Sequence, residues 1–301
     1  MGAAYRALSD RAFRDRLRAA YALLARCRVC PQDCDARRIT GHVGVCKSGV
    51  LPEISGIAIH RGEEPPIAGS RGTGAIFFAR CNMICAFCYT AKSSIHGEGR
   101  RITVNALADA MLELAARGAH SIDLVSPTHF APQILAATAI AARRGLDLPL
   151  VYKTGGYDSL AMLRLLDGVI DIYLPDLKFA DEQRGLILGG APGYVQHTKN
   201  AIREMQRQVG PLVTDSDGVA RRGLLIRHLV MPGAEDDAIS ILRWIAQEIG
   251  PGTHVSLMGQ YVPAHRAAHH AGLNQRLAPA AFARVEREME RLGLPGWSAP
   301  P

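Results

Sequence analysis

Cysteine is absent after residue 88, lysine is scarce, and aromatic residues make up only 6% of the sequence. Nucleic-acid-binding chains typically carry a basic stripe with interleaved aromatics, so we expect no nucleic-acid partner. Long apolar runs are also missing. The richest, residues 134–142, is too short to span a bilayer, and residues 1–28 lack the continuous apolar core of a secretory signal. We therefore expect no membrane association.

The composition predicts one large core with a basic surface. Of the 301 residues, 48% are hydrophobic and 21% are charged, which suits a single α/β domain with a small appendage. We interpret the net charge of +7 as a solvated surface, with weak attraction for an acidic partner as the alternative. The seven cysteines fall in two tight groups, unlike a disulfide scaffold. This grouping indicates metal binding in a reducing compartment, the cytoplasm.

The most informative motif is formed by Cys81, Cys85 and Cys88, with the spacing C-x3-C-x2-C. Three thiolates this close can hold three irons of a [4Fe–4S] cluster. The fourth iron then has no protein ligand and is free to bind a small molecule. Two alternatives fit less well, because structural zinc usually takes four ligands and a ferredoxin run has the spacing C-x2-C-x2-C.

A second group of cysteines precedes this motif. Its spacing is C-x2-C-x3-C-x11-C, and its members are Cys27, Cys30, Cys34 and Cys46. Four thiolates form a closed set that can hold zinc or a second [4Fe–4S] cluster. A second cluster would indicate electron relay or substrate ligation, and zinc would indicate a stabilising role in the fold.

Strand-like and helix-like segments alternate after residue 74. Six apolar segments predict strands, at residues 75–79, 121–125, 148–153, 169–174, 223–230 and 253–258. Alternation with helices predicts a parallel sheet with right-handed crossovers, and six strands are too few for a closed eight-stranded barrel. We predict an α/β fold with two parts. A partial (β/α)6 barrel of the TIM type covers residues 56–301, and an N-terminal helix and Cys-rich metal-binding module covers residues 1–55.

Several other segments carry weaker signals. Residues 5–25 have helical periodicity, and residues 51–67 suggest a strand-and-turn connector. We predict an insert at residues 181–194. Helices at residues 264–270 and 279–292 then complete the chain.

Polar residues follow nearly every predicted strand. The runs are Val125-Ser126-Pro127-Thr128-His129, Val151-Tyr152-Lys153-Thr154-Gly155-Gly156-Tyr157, Leu174-Pro175-Asp176-Leu177-Lys178, Ile226-Arg227-His228-Leu229-Val230-Met231-Pro232-Gly233 and Leu257-Met258-Gly259-Gln260-Tyr261. Ligands gather at the carboxyl ends of strands in such folds. We therefore expect these side chains to surround the cysteine loop.

The cysteine triplet resembles the signature of the radical S-adenosylmethionine (SAM) superfamily. The strand-end runs, the N-terminal cysteines and the segment Glu63-Glu64-Pro65-Pro66 look like its PflX-type branch, which is related to the activating enzymes of pyruvate formate-lyase. The likeness covers residues 27–260. It implies that Cys81, Cys85 and Cys88 bind a [4Fe–4S] cluster, whose open iron chelates SAM and whose electron cleaves SAM to a 5′-deoxyadenosyl radical.

The resemblance also implies where SAM is bound. Ser126, Pro127 and Thr128 stand where the family usually has a Gly-Gly-Glu stretch that contacts the SAM amino group. Their backbone carbonyls and hydroxyls would take over the work of the missing glutamate. Arg227 is a candidate for the SAM carboxylate, with a structural salt bridge to a neighbouring strand as the alternative.

Two further strand-end residues are candidate cofactor-site residues. Lys153 is a departure from the related activases, and we expect it to pair with Asp176. In one interpretation Lys153 merely neutralises a buried carboxylate, and in the other it replaces a metal cation or contacts substrate. His129, Tyr157 and His228 are interpreted as hydrogen-bonding core residues, with a role as substrate-facing donors as the alternative.

Two enzymatic functions and one non-enzymatic function follow. The first is hydrogen abstraction from a glycine of a glycyl radical enzyme, as in the activases. The second is radical modification of a small molecule or peptide, which the N-terminal cysteines favour because minimal activases lack them. The third is an iron–sulfur electron carrier. Radical SAM chemistry also implies a reductant protein such as flavodoxin or ferredoxin as a partner.

Overall fold

The computed structural model describes residues 2–301, which form one open sheet with helices around it. The spatial order of its strands is β10-β9-β8-β6-β5-β4-β2-β1-β3, with β7 paired to β8 off this path. The strands are β1 (Glu53–His60), β2 (Thr73–Phe78), β3 (Arg100–Arg101), β4 (Ile122–Val125), β5 (Leu150–Thr154), β6 (Ile172–Pro175), β7 (Val213–Thr214), β8 (Ala220–Leu229), β9 (His254–Met258) and β10 (Gly296–Ala299).

Ten α-helices within residues 2–301 precede, connect or follow these strands. They are α1 (Asp10–Ala22), α2 (Pro65–Ala68), α3 (Ala91–Ser94), α4 (Val104–Ala116), α5 (Ala131–Arg143), α6 (Leu160–Leu165), α7 (Glu182–Gly189), α8 (Tyr194–Val209), α9 (Glu235–Trp244) and α10 (Pro279–Arg291). No helix in residues 2–301 is both long and apolar enough to cross a membrane.

All six predicted strands are present, and β2, β4, β5, β6, β8 and β9 pair in parallel. Four further strands, β1, β3, β7 and β10, extend the sheet beyond these six. The strand β1 lies in the predicted connector and pairs antiparallel with β2, while β10 joins β9 in parallel. The partial barrel is confirmed. Its sheet stays open because the path ends at β3 on one side and at β10 on the other.

The two faces of the sheet are packed differently. The outer face carries the main hydrophobic core under the helices, with Tyr152, Tyr173 and Ile226 fully buried in it. On the inner face Ile67 of α2 packs with aliphatic side chains of β5, β6 and β8, namely Val151, Ile172, Leu174 and Leu225. Successive residues of a strand point to opposite faces, so each strand serves both cores.

Two helix predictions and the predicted insert need correction. The helix predicted over residues 5–25 is a short 3-10 turn followed by α1, because the hydroxyl of Ser9 accepts from the Ala12 amide and caps α1. The predicted insert contains α7, capped by the Asp181 carboxylate. The predicted helix at 264–270 is only a 3-10 turn over Ala267–His269. The helix α9 ends in a π-helical turn over Ile245–Ile249.

Candidate functional site

The cysteine loop lies directly beyond the carboxyl end of β2. It is fastened by backbone hydrogen bonds from the Ile84 amide to Gly189 at 2.8 Å and from the Ala86 amide to Leu188 at 2.8 Å. The side chain of Met83 packs against Gly155, where only glycine leaves enough room. A Cβ on Gly155 would lie 2.8 Å from the Met83 sulfur. The loop is thus held between the end of β5 and the end of α7.

The three thiols sit in an environment that suits iron. Removal of water by the surrounding protein raises the pKa of Cys81 to about 11 and that of Cys85 to about 12. A bound cation reverses this effect, because it stabilises the thiolate. The nearby Lys178 ammonium also opposes the shift at Cys85. Partly buried free thiols gathered in one loop therefore fit a [4Fe–4S] cluster held by Cys81, Cys85 and Cys88.

The predicted SAM-contact segment lies at the end of β4. Ser126 has φ +57°, a left-handed conformation that is strained for serine, and its amide donates to the Lys153 carbonyl at 2.9 Å. Pro127 and Thr128 are buried. The Thr128 hydroxyl lies 2.9 Å from the Thr154 hydroxyl, which donates to Asp158 at 2.6 Å. Thr128 thus belongs to a buried polar network, and SAM contact by this segment stays a prediction.

The sequence predicted that Lys153 pairs with Asp176, and this prediction is wrong. Its ammonium forms a short ion pair with Glu63, whose side chain is only 2% exposed. The prediction failed because the loop after β1 brings Glu63 onto the inner face of the sheet, where it reaches β5 first. Although burial opposes ionisation, the charges of Lys153 and Arg227 lower the pKa of Glu63. Lys153 accordingly neutralises a buried carboxylate.

Arg227 forms the centre of an ion network at the end of β8. Its guanidinium donates to Glu64 at 2.7 Å and to Asp176 at 3.2 Å. Asp176 also pairs with Lys178, and these two cations outweigh burial and lower the pKa of Asp176. The salt bridge to a neighbouring strand is therefore present. Binding of SAM by Arg227, Asp176 or Lys153 stays a prediction.

The sequence analysis assigned no role to Glu64. In the structure, the Glu64 side chain contacts three strands, β8, β9 and β10. Its carboxylate also accepts from Ser256 on β9 at 2.9 Å and from Trp297 on β10 at 2.7 Å. The signal was the pair of adjacent glutamates before two prolines. That pair directly precedes α2, whose first turn needs no amide donor from proline.

Asp123 on β4 was also missed. It is fully buried, and neither of its carboxylate oxygens has a hydrogen-bond partner within residues 2–301. Burial and the Glu63 carboxylate raise the pKa of Asp123 well above its usual range. A neutral Asp123 leaves the network with balanced charge, since Glu63, Glu64 and Asp176 then face Lys153, Lys178 and Arg227.

The candidate histidines and Tyr157 are held by backbone carbonyls. His129 lies 3.0 Å from the Ala79 carbonyl, His228 lies 2.7 Å from the Leu177 carbonyl, and the Tyr157 hydroxyl donates to Pro192 at 2.7 Å. Burial lowers the pKa of His129 to about 3 and that of His228 to about 4. Both histidines are thus neutral, as expected of hydrogen-bonding core residues.

The four N-terminal cysteines lie together beside this site. Burial raises the pKa of Cys30 well above its usual value, and the neighbouring Cys46, Cys27 and Cys34 side chains add to the effect. The side-chain amide of Gln32 links the N-terminal cysteines to the cysteine loop at residues 81–88. It donates to the Asn82 carbonyl in that loop at 2.9 Å and to the Gly190 carbonyl at 2.7 Å. The division of the chain into two domains stays a prediction.

Residues 75–245 match the family model of the radical SAM superfamily. The match begins in β2, contains all three cysteines of the loop and covers more than half of the chain. The protein belongs to the radical SAM superfamily. It is an enzyme that cleaves SAM reductively with a [4Fe–4S] cluster. The matched region excludes the four N-terminal cysteines.

One curated relative is the uncharacterized protein MJ0674 of Methanocaldococcus jannaschii. It is 26% identical over 272 residues, which are 88% of this chain and 73% of the relative.

Among solved structures, Streptococcus suis SuiB bound to precursor peptide SuiA has a TM-score of 0.49 at 11% identity over 73% of this chain. The match spans only 47% of SuiB. A radical SAM methyltransferase from Sphaerobacter thermophilus has a TM-score of 0.49 at 13% identity, over 76% of this chain and 66% of that one. A domain of the pyruvate formate-lyase-activating enzyme from Bacteroides vulgatus has a TM-score of 0.38 at 12% identity, over 65% of this chain and 91% of that one.

Proposed function

We propose that this radical SAM enzyme belongs to the PflX-type branch and abstracts hydrogen from a polypeptide, specifically from a glycine of a glycyl radical enzyme. Cys81, Cys85 and Cys88 hold the cluster. When bound, the cluster and SAM supply a 5′-deoxyadenosyl radical. The chain's own residues hold the cluster, orient SAM and receive the substrate at the strand ends.

The filled inner face of the sheet carries this proposal. Glu63 and Glu64 reach side chains of β5, β8, β9 and β10, while Ile67 packs against β5, β6 and β8 below them. The space enclosed by the sheet is thus taken up by the protein's own loop. A substrate is therefore expected at the open rim, where a polypeptide fits better than a small molecule that needs enclosure.

The rim beside the cysteine loop offers contact surface. Leu186 and Ile187 of α7 are exposed, and α7 is hydrogen-bonded to the cysteine loop through its last residues. Between α7 and residues 270–273 lies an open groove of about 310 Å³. Tyr89, which directly follows the last cysteine of the loop, is 85% exposed. These features suit an extended segment of a partner protein.

The SAM contacts are part of the proposal. Ser126, Pro127 and Thr128 face SAM through their backbone groups, since the Thr128 hydroxyl is already engaged with Thr154. Arg227, Asp176 and Lys153 form the charged floor of the cofactor site. The net charge of +7 suits an acidic electron donor such as flavodoxin or ferredoxin. A cytoplasmic location stays a prediction.

A second candidate is radical modification of a small molecule or peptide. The four-cysteine module favours it, because an auxiliary metal site suits substrate ligation or electron relay. An iron–sulfur electron carrier, the third function, is opposed by the family membership, since the family cleaves SAM.

The test is an anaerobic assay of the reconstituted, dithionite-reduced enzyme with SAM and purified pyruvate formate-lyase. We expect 5′-deoxyadenosine together with a glycyl radical signal by electron paramagnetic resonance. The matched control is a Cys85→Ala variant, which should give neither product. Formation of 5′-deoxyadenosine that responds only to a small-molecule extract, with no radical on any glycyl radical enzyme tried, would overturn the proposal.

A further inference from the structure

We propose that Cys27, Cys30, Cys34 and Cys46 bind a metal centre, a second [4Fe–4S] cluster, and that the buried Arg38 is its counter-cation. This site lies outside the region that matches the superfamily. It is also independent of the proposed substrate, because its test counts metal and needs no SAM chemistry.

All four thiols are free and lie beside one another. None of the seven cysteines forms a disulfide. Four free thiols form a closed set of the kind that holds a [4Fe–4S] cluster.

The backbone around these cysteines is strained in a way that a ligand would explain. Asp33, Asp35 and Lys47 have φ of +39°, +55° and +54°, and they directly flank Cys34 and Cys46. Such conformations are costly for residues other than glycine and persist where the surroundings over-determine them.

Gly44 meets the same segment from the other side. A Cβ at this position would lie 2.2 Å from the sulfur of Cys34. The loop is therefore wrapped closely around a thiol that points inward.

Arg38 is a buried cation without an anion. Its side chain is 1% exposed, and its guanidinium donates to the Gly49 carbonyl at 2.7 Å and to the His129 carbonyl at 2.6 Å. No carboxylate of residues 2–301 forms an ion pair with it, and the Cys27 sulfur lies 4.0 Å from its guanidinium. Burial of an unpaired charge is unfavourable. Four thiolates around a [4Fe–4S] core carry net negative charge, which supplies the missing partner.

The decisive experiment removes the SAM-cleaving cluster, so that any remaining metal belongs to the N-terminal cysteines. We would reconstitute a Cys81→Ala/Cys85→Ala/Cys88→Ala variant anaerobically with ferrous iron, sulfide and zinc, and count the metals. We expect about four iron and about four sulfide per chain, against about eight of each in the wild type. One zinc and no iron would overturn the proposal, and so would a folded chain without metal. In either case SAM cleavage by the wild type would still leave the proposed function standing.

The role of Arg38 is tested in the same triple variant by redox titration. An added Arg38→Met substitution should make the potential of the remaining cluster more negative, because a nearby cation stabilises the reduced, more negative state. Arg38→Lys should largely restore the potential. The control is Arg37→Met at the neighbouring exposed position. An unchanged potential in the Arg38→Met variant would show that Arg38 only packs the module.

Discussion

Arg227 on β8 donates a 2.7 Å hydrogen bond to Glu64 across a sequence separation of 163 residues. Both side chains are largely buried, and Asp176, Ser256 and Trp297 complete the contacts around the pair. This ion pair ties the loop after β1 to the last strands of the open sheet. The ion pair therefore holds this loop against the open side of the sheet, where a complete barrel would have a closing strand.

We predict that Glu64→Gln lowers the free energy of unfolding by about 3 kcal/mol, because breaking a buried pair leaves a charge without its partner. An Arg227→Met variant should be similarly destabilised. The double variant should be more stable than the sum of the two effects implies, by about 1 kcal/mol or more. Urea unfolding followed by circular dichroism measures this, and strict additivity would refute the coupling.

We predict that Asp123→Asn stabilises the protein increasingly as the pH rises. In the unfolded chain an aspartate loses its proton near pH 4, whereas in the folded protein burial and Glu63 hold the pKa of Asp123 well above its usual range. As the pH rises, the aspartate ionises in the unfolded chain before it ionises in the folded protein. The free energy of unfolding of the wild type therefore falls from pH 4 up to the raised pKa of Asp123.

Melting temperatures of wild type and variant should therefore converge near pH 4 and diverge above it. The matched control is Asp217→Asn, the same substitution at an exposed position. A difference that is constant with pH would mean that Asp123 ionises normally.

We predict that a Cys85→Ala variant loses the SAM-cleaving cluster while the fold remains. The iron count should fall by about four per chain, and 5′-deoxyadenosine formation should drop to background. The helices and the sheet should persist by circular dichroism, because the loop is also fastened by backbone hydrogen bonds to α7. Tyr89→Ala, in the same loop but exposed, should keep both iron and SAM cleavage. Full activity without Cys85 would reject the ligand assignment.

We predict that Lys178→Met makes the potential of the SAM-cleaving cluster more negative. Lys178 is a cation near the Cys85 thiol, and although burial opposes its charge, Asp176 raises its pKa and keeps it protonated. Loss of this charge disfavours the reduced cluster. A redox titration with electron paramagnetic resonance reads the shift, and Lys178→Arg should restore the potential. An equal shift in the Arg and Met variants would point to packing instead of charge.

Much of the fold could be predicted from local patterns of apolar residues in the sequence. Six parallel strands were predicted because buried parallel strands are short, continuous apolar runs between helical segments. The strand β10 escaped notice since Gly296-Trp297-Ser298-Ala299 has little strand character of its own and is placed by pairing with β9. The Thr128–Thr154–Asp158 network was equally hidden, because no spacing rule links hydroxyls at the ends of different strands.

The sequence by itself determined the cofactor chemistry, because three cysteines in eight residues must gather in any fold that keeps the loop together. It also determined the alternation of strands and helices. Only the tertiary structure decided which partners the buried charges take. Glu63 meets Lys153, Glu64 meets Arg227, and Asp123 stays unpaired. The reason is physical: these contacts join residues far apart in the chain, and their geometry is fixed by how α2 packs inside the sheet.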